Sequence, residues 1–254
     1  MRNNFAPAFL PLLMLVVLLG GCMSINRTRR GMSIPPGHVI FSFDDGPNVH
    51  EDTTARLLDV LKKYEIRAMF ALLGENAEHS PELVRRIRDE GHYIINHGYC
   101  DKWAVSMENG EFRENLRRGA AAISAALGEE PSPRLYRPQG GYFRKQHRRI
   151  WREEGYVMVA GTIRVFDAVI DSAEKNKVRR RIVRAIAEHR GGMILLHDAR
   201  DSHFRMERAL EEYPGGEFNR SWIPEVTEEI IVRLLEKGYR LNGFDILELL
   251  NIES

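Results

Sequence analysis

Charged and ionisable side chains stand at the ends of several apolar, strand-like segments, and their types suit metal-assisted hydrolysis. Asp44 and Asp45 end the first such segment, His97 the third, Arg137 the fourth and His197 the sixth. In that chemistry, oxygen and nitrogen ligands hold a divalent ion, a carboxylate takes a proton from water, and a histidine protonates the leaving group. A single strand-end Asp is often only a turn former, so the joint placement of these residues is what indicates a site.

The segments that must position these residues alternate between strand-like and helical patterns. Short runs rich in branched and aromatic residues predict strands at 38–43, 67–73, 92–96, 134–137, 156–163, 192–196 and 239–244. Helical patterns lie between them, at 53–64, 81–90, 111–127, 146–154, 173–189 and 225–237. This alternation predicts an α/β domain with parallel strands, closed or nearly closed into a barrel. The carboxyl ends of barrel strands converge on one face, where such folds place their active sites.

Charge and loop patterns narrow the range of partners. The formal net charge is +1, and the charges are interspersed along the chain. This charge pattern does not indicate nucleic-acid binding. No glycine-rich phosphate loop follows a predicted strand, so we do not expect a nucleotide partner either. The connection from Asp198 to Ile223 is long and contains Pro214-Gly215-Gly216. Its length predicts an irregular segment, with a role as a substrate lid or no role at all.

The N-terminal residues predict an exported, lipid-anchored protein. Arg2 precedes a short apolar run over 9–19, too short for the roughly 20 residues that a bilayer span requires. Leu19-Gly20-Gly21-Cys22 resembles a bacterial lipobox. We therefore predict a signal peptide over 1–21, lipidation of Cys22 and a tether over 22–36. Met23, rather than Asp, follows Cys22. In a diderm host this resembles the signal that sorts a lipoprotein to the periplasmic face of the outer membrane. Cys100 is the only other cysteine, so we predict no disulfide.

Longer motifs around the strand-end residues resemble those of the polysaccharide deacetylases of carbohydrate esterase family 4, the NodB-homology enzymes. Phe41-Ser42-Phe43-Asp44-Asp45-Gly46-Pro47 resembles the first family signature, which is long and specific. Three further stretches of this chain are similar to later motifs of the family: Gly91 through His97, Arg137-Pro138-Gln139-Gly140-Gly141 and Leu195-Leu196-His197. The resemblance runs from about residue 39 to about residue 250. It implies a distorted (β/α)7 barrel in a single domain over 37–254.

The resemblance also implies catalytic roles for matching residues. Asp44 is implied to be the general base that acts on a metal-activated water. His197 is implied to be the general acid that protonates the leaving amine. Arg137 is implied to pair with Asp44 and hold that carboxylate ionised. The backbone N–H of Gly140 matches the position that stabilises the oxyanion, and a backbone donor survives the change of side chain.

A second group of matching residues is implied to bind one divalent metal ion. Asp45 and His97 match two ligands of the family, whereas Asp101 stands where the family has a second histidine, four residues after the first. Zinc accepts carboxylate oxygen as well as imidazole nitrogen, so we predict the ligand set Asp45, His97 and Asp101. The extra carboxylate favours harder ions, so manganese, cobalt and nickel are alternatives to zinc. In the other interpretation, Asp101 only caps the turn after the third strand.

Two further motifs depart from the family pattern. Gln139 and Gly140 replace the usual proline and tyrosine, and Arg164 and Ala168 align where the family tends to have aspartate and tryptophan, which leaves Asp167. These changes support an alternative function, a catalytically weak or inactive glycan-binding lipoprotein that retains the barrel.

A glycosidase with two catalytic carboxylates is disfavoured by the spacing of Asp44 and Asp45. Adjacent residues of an extended segment point to opposite faces, so these two cannot flank one glycosidic bond.

Aromatic residues near the predicted rim suggest a sugar-binding surface, because sugar rings pack on aromatic planes. Tyr99 and Trp103 are our predicted substrate contacts, and three further aromatic residues of the same region are Tyr142, Phe143 and Trp222. The resemblance implies an acetylated polysaccharide, with N-acetyl favoured over O-acetyl groups. Peptidoglycan, chitin-like chains and exopolysaccharides all remain open as substrates.

Overall fold

A parallel sheet of seven strands forms the centre of the computed structural model, which describes residues 25–27 and 34–253. The strands in chain order are β1 (Ile25–Arg27), β2 (Val39–Asp44), β3 (Met69–Leu72), β4 (Tyr93–Asn96), β5 (Leu135–Tyr136), β6 (Tyr142–Arg144), β7 (Val157–Met158), β8 (Ile163–Arg164) and β9 (Gly192–His197). The sheet has the order β7-β5-β4-β3-β2-β9-β8, while β1 and β6 form a separate antiparallel ribbon. The predicted signal peptide and Cys22 lie outside the described residues.

Helices connect and flank the strands of this sheet. They are α1 (Thr53–Lys63), α2 (Gly74–His79), α3 (Pro81–Asp89), α4 (Asn109–Leu127), α5 (Lys145–Glu153), α6 (Lys175–His189), α7 (His203–Glu212), α8 (Ile223–Glu236) and α9 (Ile246–Leu249). Among the described residues, none of these helices combines the length and apolar character needed to cross a bilayer.

Alternation along β2 separates an outer face from an inner one. Val39, Phe41 and Phe43 are buried in an apolar cluster that also contains side chains of α1, α6 and α8. Ile40 belongs to a different cluster, together with Met69 of β3 and Met193 of β9. Because side chains of a strand alternate between its two faces, Ser42 and Asp44 share the inner face with Ile40. The fold thus directs Asp44 into the hollow of the curled sheet.

The predicted barrel of seven parallel strands is confirmed, although two of its predicted strands differ. The segment 156–163 forms two strands, β7 and β8, which lie at opposite edges of the sheet. Gly161 lies between them and packs so closely on Leu195 that a Cβ would lie 2.7 Å from Leu195 Cδ1. The predicted strand 239–244 was wrong, since it contributes only an isolated bridge between His38 and Arg240. Gly243, with a φ of 74°, turns the chain away from an extended path soon after that bridge.

The long connection after β9 is also more ordered than the sequence predicts. It contains α7, which buries Met206 and Leu210. The side-chain amide of Asn76 donates to the carbonyl oxygen of Asp201 over 3.0 Å and to that of Asp45 over 2.7 Å. The expectation of an irregular segment was therefore wrong, because apolar packing and buried hydrogen bonds fix this connection against the barrel.

Candidate active site

Asp44, at the end of β2, forms a buried ion pair with Arg137, which follows β5. Arg137 Nη1 donates to Asp44 Oδ1 and, over 2.7 Å, to the hydroxyl oxygen of Ser42. Its Nε donates to the carbonyl oxygen of Val159 over 3.0 Å. Asp44 is 4% exposed and Arg137 is 1% exposed, so water screens the attraction between the two charges only weakly. The chain thus contains the pair that the family resemblance implies.

His197, at the end of β9, is held by Asp167. The backbone N–H of His197 donates to Asp167 Oδ2 over 2.8 Å, and its ring Nδ1 lies 3.0 Å from Asp167 Oδ1. A carboxylate accepts, so Nδ1 carries a proton and Nε2 is the ring nitrogen that can exchange one with a substrate. Burial alone would lower the pKa of His197, but the charge and hydrogen bond of Asp167 raise it to about 9. The imidazole is therefore protonated at neutral pH, as a general acid must be.

The parallel register of β2 and β9 brings these two pairs together. Asp44 and His197 are direct Cα partners across the two strands. After Asp167, the negative charges of Asp45 and Asp44 also contribute to the raised pKa of His197. A candidate base and a candidate acid therefore stand side by side on adjacent strands.

Asp45 and His97 form a second buried contact beside Asp44. His97 Nε2 lies 3.3 Å from Asp45 Oδ1 and 3.9 Å from Asp44 Oδ2. Asp45 has a φ of 72°, in the left-handed region that non-glycine residues rarely adopt. The alternation expected for two adjacent carboxylates therefore fails at Asp45, and both approach one imidazole nitrogen. Strained backbone of this kind often occurs at functional sites.

The surroundings of His97 fit those of a metal ligand. Its Nδ1 lies 2.8 Å from the carbonyl oxygen of Arg137, and because a carbonyl only accepts, Nδ1 carries a proton. A carbonyl partner of this type orients a metal-binding imidazole and leaves Nε2 for the ion. Burial alone would raise the pKa of Asp45, but the hydrogen bond of His97 and the charge of His197 lower it. An ionised carboxylate that faces Nε2 can thus share a cation with that nitrogen.

Asp101, the third predicted ligand, does not join the contact between Asp45 and His97. Burial and the neighbouring charge of Asp45 raise the pKa of Asp101 to about 7, and Asp201 adds to this repulsion. Asp101 is therefore close enough to experience the charge of Asp45. In the described part of the chain, however, no group of three or more His, Cys, Asp or Glu side chains is arranged to hold a metal ion. The structure brings Asp45 and His97 together and leaves Asp101 outside this group.

Gly140 lies at the rim of the sheet and is in contact with Trp103. Its φ is 68°, and a Cβ at this position would lie 2.9 Å from Trp103 Cγ. Trp103 itself is 40% exposed. The ring of Trp103 thus occupies the space that a side chain at Gly140 would need, and it offers an aromatic surface next to the candidate oxyanion donor.

The side chain of Gln139, next to Gly140, leaves no room for a side chain at a second glycine of this rim, Gly98. The side-chain amide of Gln139 donates to the carbonyl oxygen of Cys100 over 3.2 Å. At Gly98, whose φ is 79°, a Cβ would lie 1.8 Å from Gln139 Nε2. Any larger residue at Gly98 would therefore have to displace the side-chain amide of Gln139.

Three of the aromatic residues near the predicted rim contact other parts of the protein. The hydroxyl of Tyr99 donates to Glu78 over 2.9 Å, and the guanidinium of Arg118 lies 3.7 Å from the centre of its ring. The hydroxyl and ring of Tyr99 thus contact residues of α2 and α4, and its contact with substrate stays a prediction. Phe143 and Trp222 are 1% and 4% exposed, so they are packing residues.

Three buried residues of this region received no role from the sequence. Asp167 orients His197, and Arg220 and Asp198 are both 0% exposed. Asp167 follows β8, and its position beyond a strand end is a signal that could have identified it. Asp198 directly follows His197 at the end of β9 and carries the same strand-end signal. Arg220 follows no pattern that distinguishes it from surface residues, since its burial depends on contacts distant in sequence.

Comparison with known proteins gives a family and several relatives. The sequence model of the polysaccharide deacetylase family matches residues 32–159. A peptidoglycan-N-acetylglucosamine deacetylase of Bacillus cereus is 32% identical over 129 residues, which are 51% of this chain and 46% of that protein. The match thus spans about half the length of this curated relative.

Solved structures resemble the chain over most of its length. The crystal structure of a peptidoglycan N-acetylglucosamine deacetylase superposes with a TM-score of 0.68 at 24% identity and covers 87% of this chain and 92% of that one. A family 4 acetyl xylan esterase from Clostridium thermocellum, in complex with a cobalt ion, has a TM-score of 0.64 at 25% identity and covers 84% and 90%.

Proposed function

The chain belongs to the polysaccharide deacetylase family, and we propose that it is a metal-dependent hydrolase that removes acetyl groups, preferentially N-acetyl, from a cell-envelope or extracellular polysaccharide. The observation that carries this proposal is the adjacency of two charge pairs, one buried and one with a partly exposed histidine. Arg137 and Asp44 form one, Asp167 and His197 form the other, and the register of β2 and β9 makes Asp44 and His197 neighbours. Burying Asp44, Arg137 and Asp167 beside a partly exposed His197 is unfavourable unless the fold compensates their charges, and a pure scaffold has no need of them.

The two pairs divide the work of amide hydrolysis. Asp44 accepts a proton from the attacking water while the water oxygen bonds to the acetyl carbon, and the hydrogen bond from Arg137 holds the carboxylate in place. The carbon–nitrogen bond then breaks, and the protonated ring of His197 supplies a proton to the departing nitrogen. The products are acetate and a free amine on the sugar. The backbone N–H of Gly140 stabilises the negative charge that develops on the acetyl oxygen.

A divalent ion fits the pair formed by Asp45 and His97. When bound, such an ion supplies positive charge that polarises the acetyl group and its attacking water. Asp45 and His97 would hold it, and we propose Asp101 as a third donor that moves inward to do so. Zinc suits one imidazole and two carboxylates, and manganese, cobalt or nickel are alternatives.

The proposed substrate is an acetylated polysaccharide, which the exposed ring of Trp103 would contact beside Gly140. The relatives support this class, since the Bacillus cereus protein is named for peptidoglycan N-acetylglucosamine and another, from Bradyrhizobium, for chitooligosaccharides. We further propose that the protein is anchored by a lipid on Cys22, outside the cytoplasm and facing the periplasm if the host is diderm. Loss of lipid labelling in Cys22→Ala would support the anchor, and normal labelling would exclude it.

Acetate release tests the proposed activity directly. Purified protein, loaded with zinc, manganese or cobalt, is incubated with peptidoglycan, chitooligosaccharides and acetylated xylan. We expect acetate release from at least one of them, abolished by chelation and reduced about 10²–10⁴-fold in His197→Gln. His203→Gln is a matched control, because its ring stacks on His79 at 3.6 Å and contacts neither charge pair. Equal activity of His197→Gln and wild type would contradict the assignment of the acid.

Among the described residues, Asp45 and His97 do not form a group with a third His, Cys, Asp or Glu that could hold a metal ion. This observation favours one alternative, a glycan-binding lipoprotein with weak or no activity. In that case metal analysis would find little or no bound ion, and acetate release from every glycan would be weak or absent. Glycan binding, measured by calorimetry, would nevertheless persist.

A further inference from the structure

We propose that Arg220 is a positioning residue for the candidate acid, because it holds Asp167 ionised and in place while His197 gives up its proton. This inference rests on the proposed role of His197 and extends it to a residue of the connection between β9 and α8. Arg220 lies far along the chain from Asp167, so the fold alone brings the two together.

The contacts of Arg220 converge on the two residues of the acid pair. Its Nη2 donates to Asp167 Oδ2 over 2.7 Å, and its Nη1 donates to the carbonyl oxygen of Asp167 over 3.0 Å. Its Nε donates to the carbonyl oxygen of His197 over 3.1 Å. One planar guanidinium thus fixes the carboxylate of Asp167 and the backbone of both residues. This use of several donors in a rigid fork suits arginine and no other side chain.

The division of the Asp167 oxygens shows how this orients the imidazole. Oδ2 accepts from Arg220 and from the backbone N–H of His197. Oδ1 is thereby left for Nδ1 of the His197 ring, at 3.0 Å. With both oxygens occupied, the carboxylate cannot rotate without breaking at least one charge-assisted hydrogen bond.

Charge gives the second part of the argument. Asp167 and Arg220 are both 0% exposed. When His197 transfers its proton it becomes neutral, and Asp167 would then be a buried carboxylate without a positive partner, a state that is strongly unfavourable. Burial lowers the pKa of Arg220 and the charge of Asp167 opposes this shift, but an arginine guanidinium is not deprotonated in proteins. Arg220 therefore compensates Asp167 both before and after the transfer. We infer that it keeps Asp167 from removing the proton that remains on Nδ1 of His197 after Nε2 has given up its own.

A purely structural role is the competing explanation. Arg220 Nη1 also lies 3.3 Å from the carbonyl oxygen of Ile170, and its guanidinium lies 4.5 Å from the centre of the Trp222 ring. These contacts attach the connection to the barrel whether or not His197 reacts. A structural clasp predicts that its loss lowers stability and leaves the reactivity of His197 unchanged in the molecules that remain folded.

The test compares Arg220→Met, Arg220→Lys, Asp167→Asn and the double variant Asp167→Asn/Arg220→Met. Trp222→Phe is the control, because it alters the ring beside Arg220 and removes the hydrogen bond from Trp222 Nε1 to the carbonyl oxygen of Asn219, but leaves the donors of Arg220 to Asp167 and His197 in place. We expect Arg220→Met to lower kcat about 10–100-fold with KM changed less than about threefold, and Arg220→Lys to lose about tenfold or less. If Arg220 acts through Asp167, adding Arg220→Met to the Asp167→Asn variant should lower its kcat by less than about threefold. Fully multiplicative effects, or a Trp222→Phe loss equal to that of Arg220→Met, would overturn the proposal.

A spectroscopic measurement separates this proposal from the proposed activity. In protein labelled with ¹⁵N-histidine, the Nδ1–H of His197 should give a downfield proton resonance, because it is bonded to a carboxylate. We expect this resonance to shift or disappear in Arg220→Met and Arg220→Lys and to persist in Trp222→Phe. The measurement works even if no glycan releases acetate, and Arg220→Lys retains the charge should Arg220→Met fail to fold. An unchanged resonance in Arg220→Lys, together with wild-type kcat wherever activity is found, would refute the positioning role.

Discussion

Asp198, the residue after His197, should make the stability of this protein depend on pH. Its side chain is 0% exposed. Thr54 Oγ1 donates to Oδ2 over 2.5 Å, whereas Oδ1 has no hydrogen-bond partner in the described residues. Burial, which outweighs the hydrogen bond of Thr54, raises the pKa of Asp198 to about 7, and the charges of Asp45 and Asp44 add to the shift. The folded protein therefore retains a proton on Asp198 that the unfolded chain releases.

The size of the effect follows from the two pKa values. The unfolded carboxyl titrates near 3.8 and the folded one at about 7. Because the folded state binds the proton more tightly, stability from this group is highest below pH 4, falls as pH rises, and is lost above pH 7. The full difference corresponds to about 4 kcal/mol, of which about 2.5 kcal/mol falls between pH 5 and pH 8.

Asp198→Asn removes this titration, so the measurement is the difference in Tm between variant and wild type at pH 5 and at pH 8. We expect the Tm of the variant, relative to that of wild type, to be about 5–10 °C higher at pH 8 than at pH 5. Its absolute value is less informative, because the amide places a buried N–H₂ group where Oδ1 has no partner. Asp89→Asn, at a side chain that is 61% exposed, is the control and should keep the wild-type pH dependence. A difference that stays constant from pH 5 to pH 8 would refute the reasoning.

Asp44→Asn should lower acetate release about 10²–10⁴-fold, because an amide cannot accept the proton of water. It should also lower Tm measurably by calorimetry, since Arg137 would remain as an unpaired charge in the core; an unchanged Tm would count against the buried pair. Asp101→Ala should weaken metal binding measured by elemental analysis, and Asp101→His should retain metal with a preference for zinc. Equal occupancy and affinity in the two variants and wild type would exclude Asp101 as a ligand. Trp103→Ala should raise KM for glycans with little loss of Tm, because the ring is 40% exposed; an unchanged KM for every glycan tested would remove Trp103 from the substrate site.

The residues of the inner rim could be identified from the sequence because their signals are local. A run of apolar residues that ends in Asp44 and Asp45 defines both a strand and the end at which the carboxylates stand. The same holds for His97, Arg137 and His197. Parallel strands connected by helices place those ends on one face, so local patterns were sufficient to group these residues.

Other features of the site depended on contacts that no local pattern encodes. The φ of 72° at Asp45 turns its carboxylate toward His97, which simple strand alternation does not allow. The strand predicted over 239–244 failed for a similar reason, since a strand exists only where a neighbour pairs with it. Its extended character ends after one bridge at Arg240.

The amino-acid sequence by itself determined the family, the barrel and the chemical type of most of its rim residues, because apolar periodicity and strand-end motifs are properties of contiguous residues. The tertiary structure alone decided which charges compensate one another. Asp167 meets His197 across 30 residues of chain and Arg220 across 53, and Asp198 acquires its raised pKa from burial. Electrostatic energies depend on distance through space and on exclusion of water, and both quantities arise only when the chain has folded.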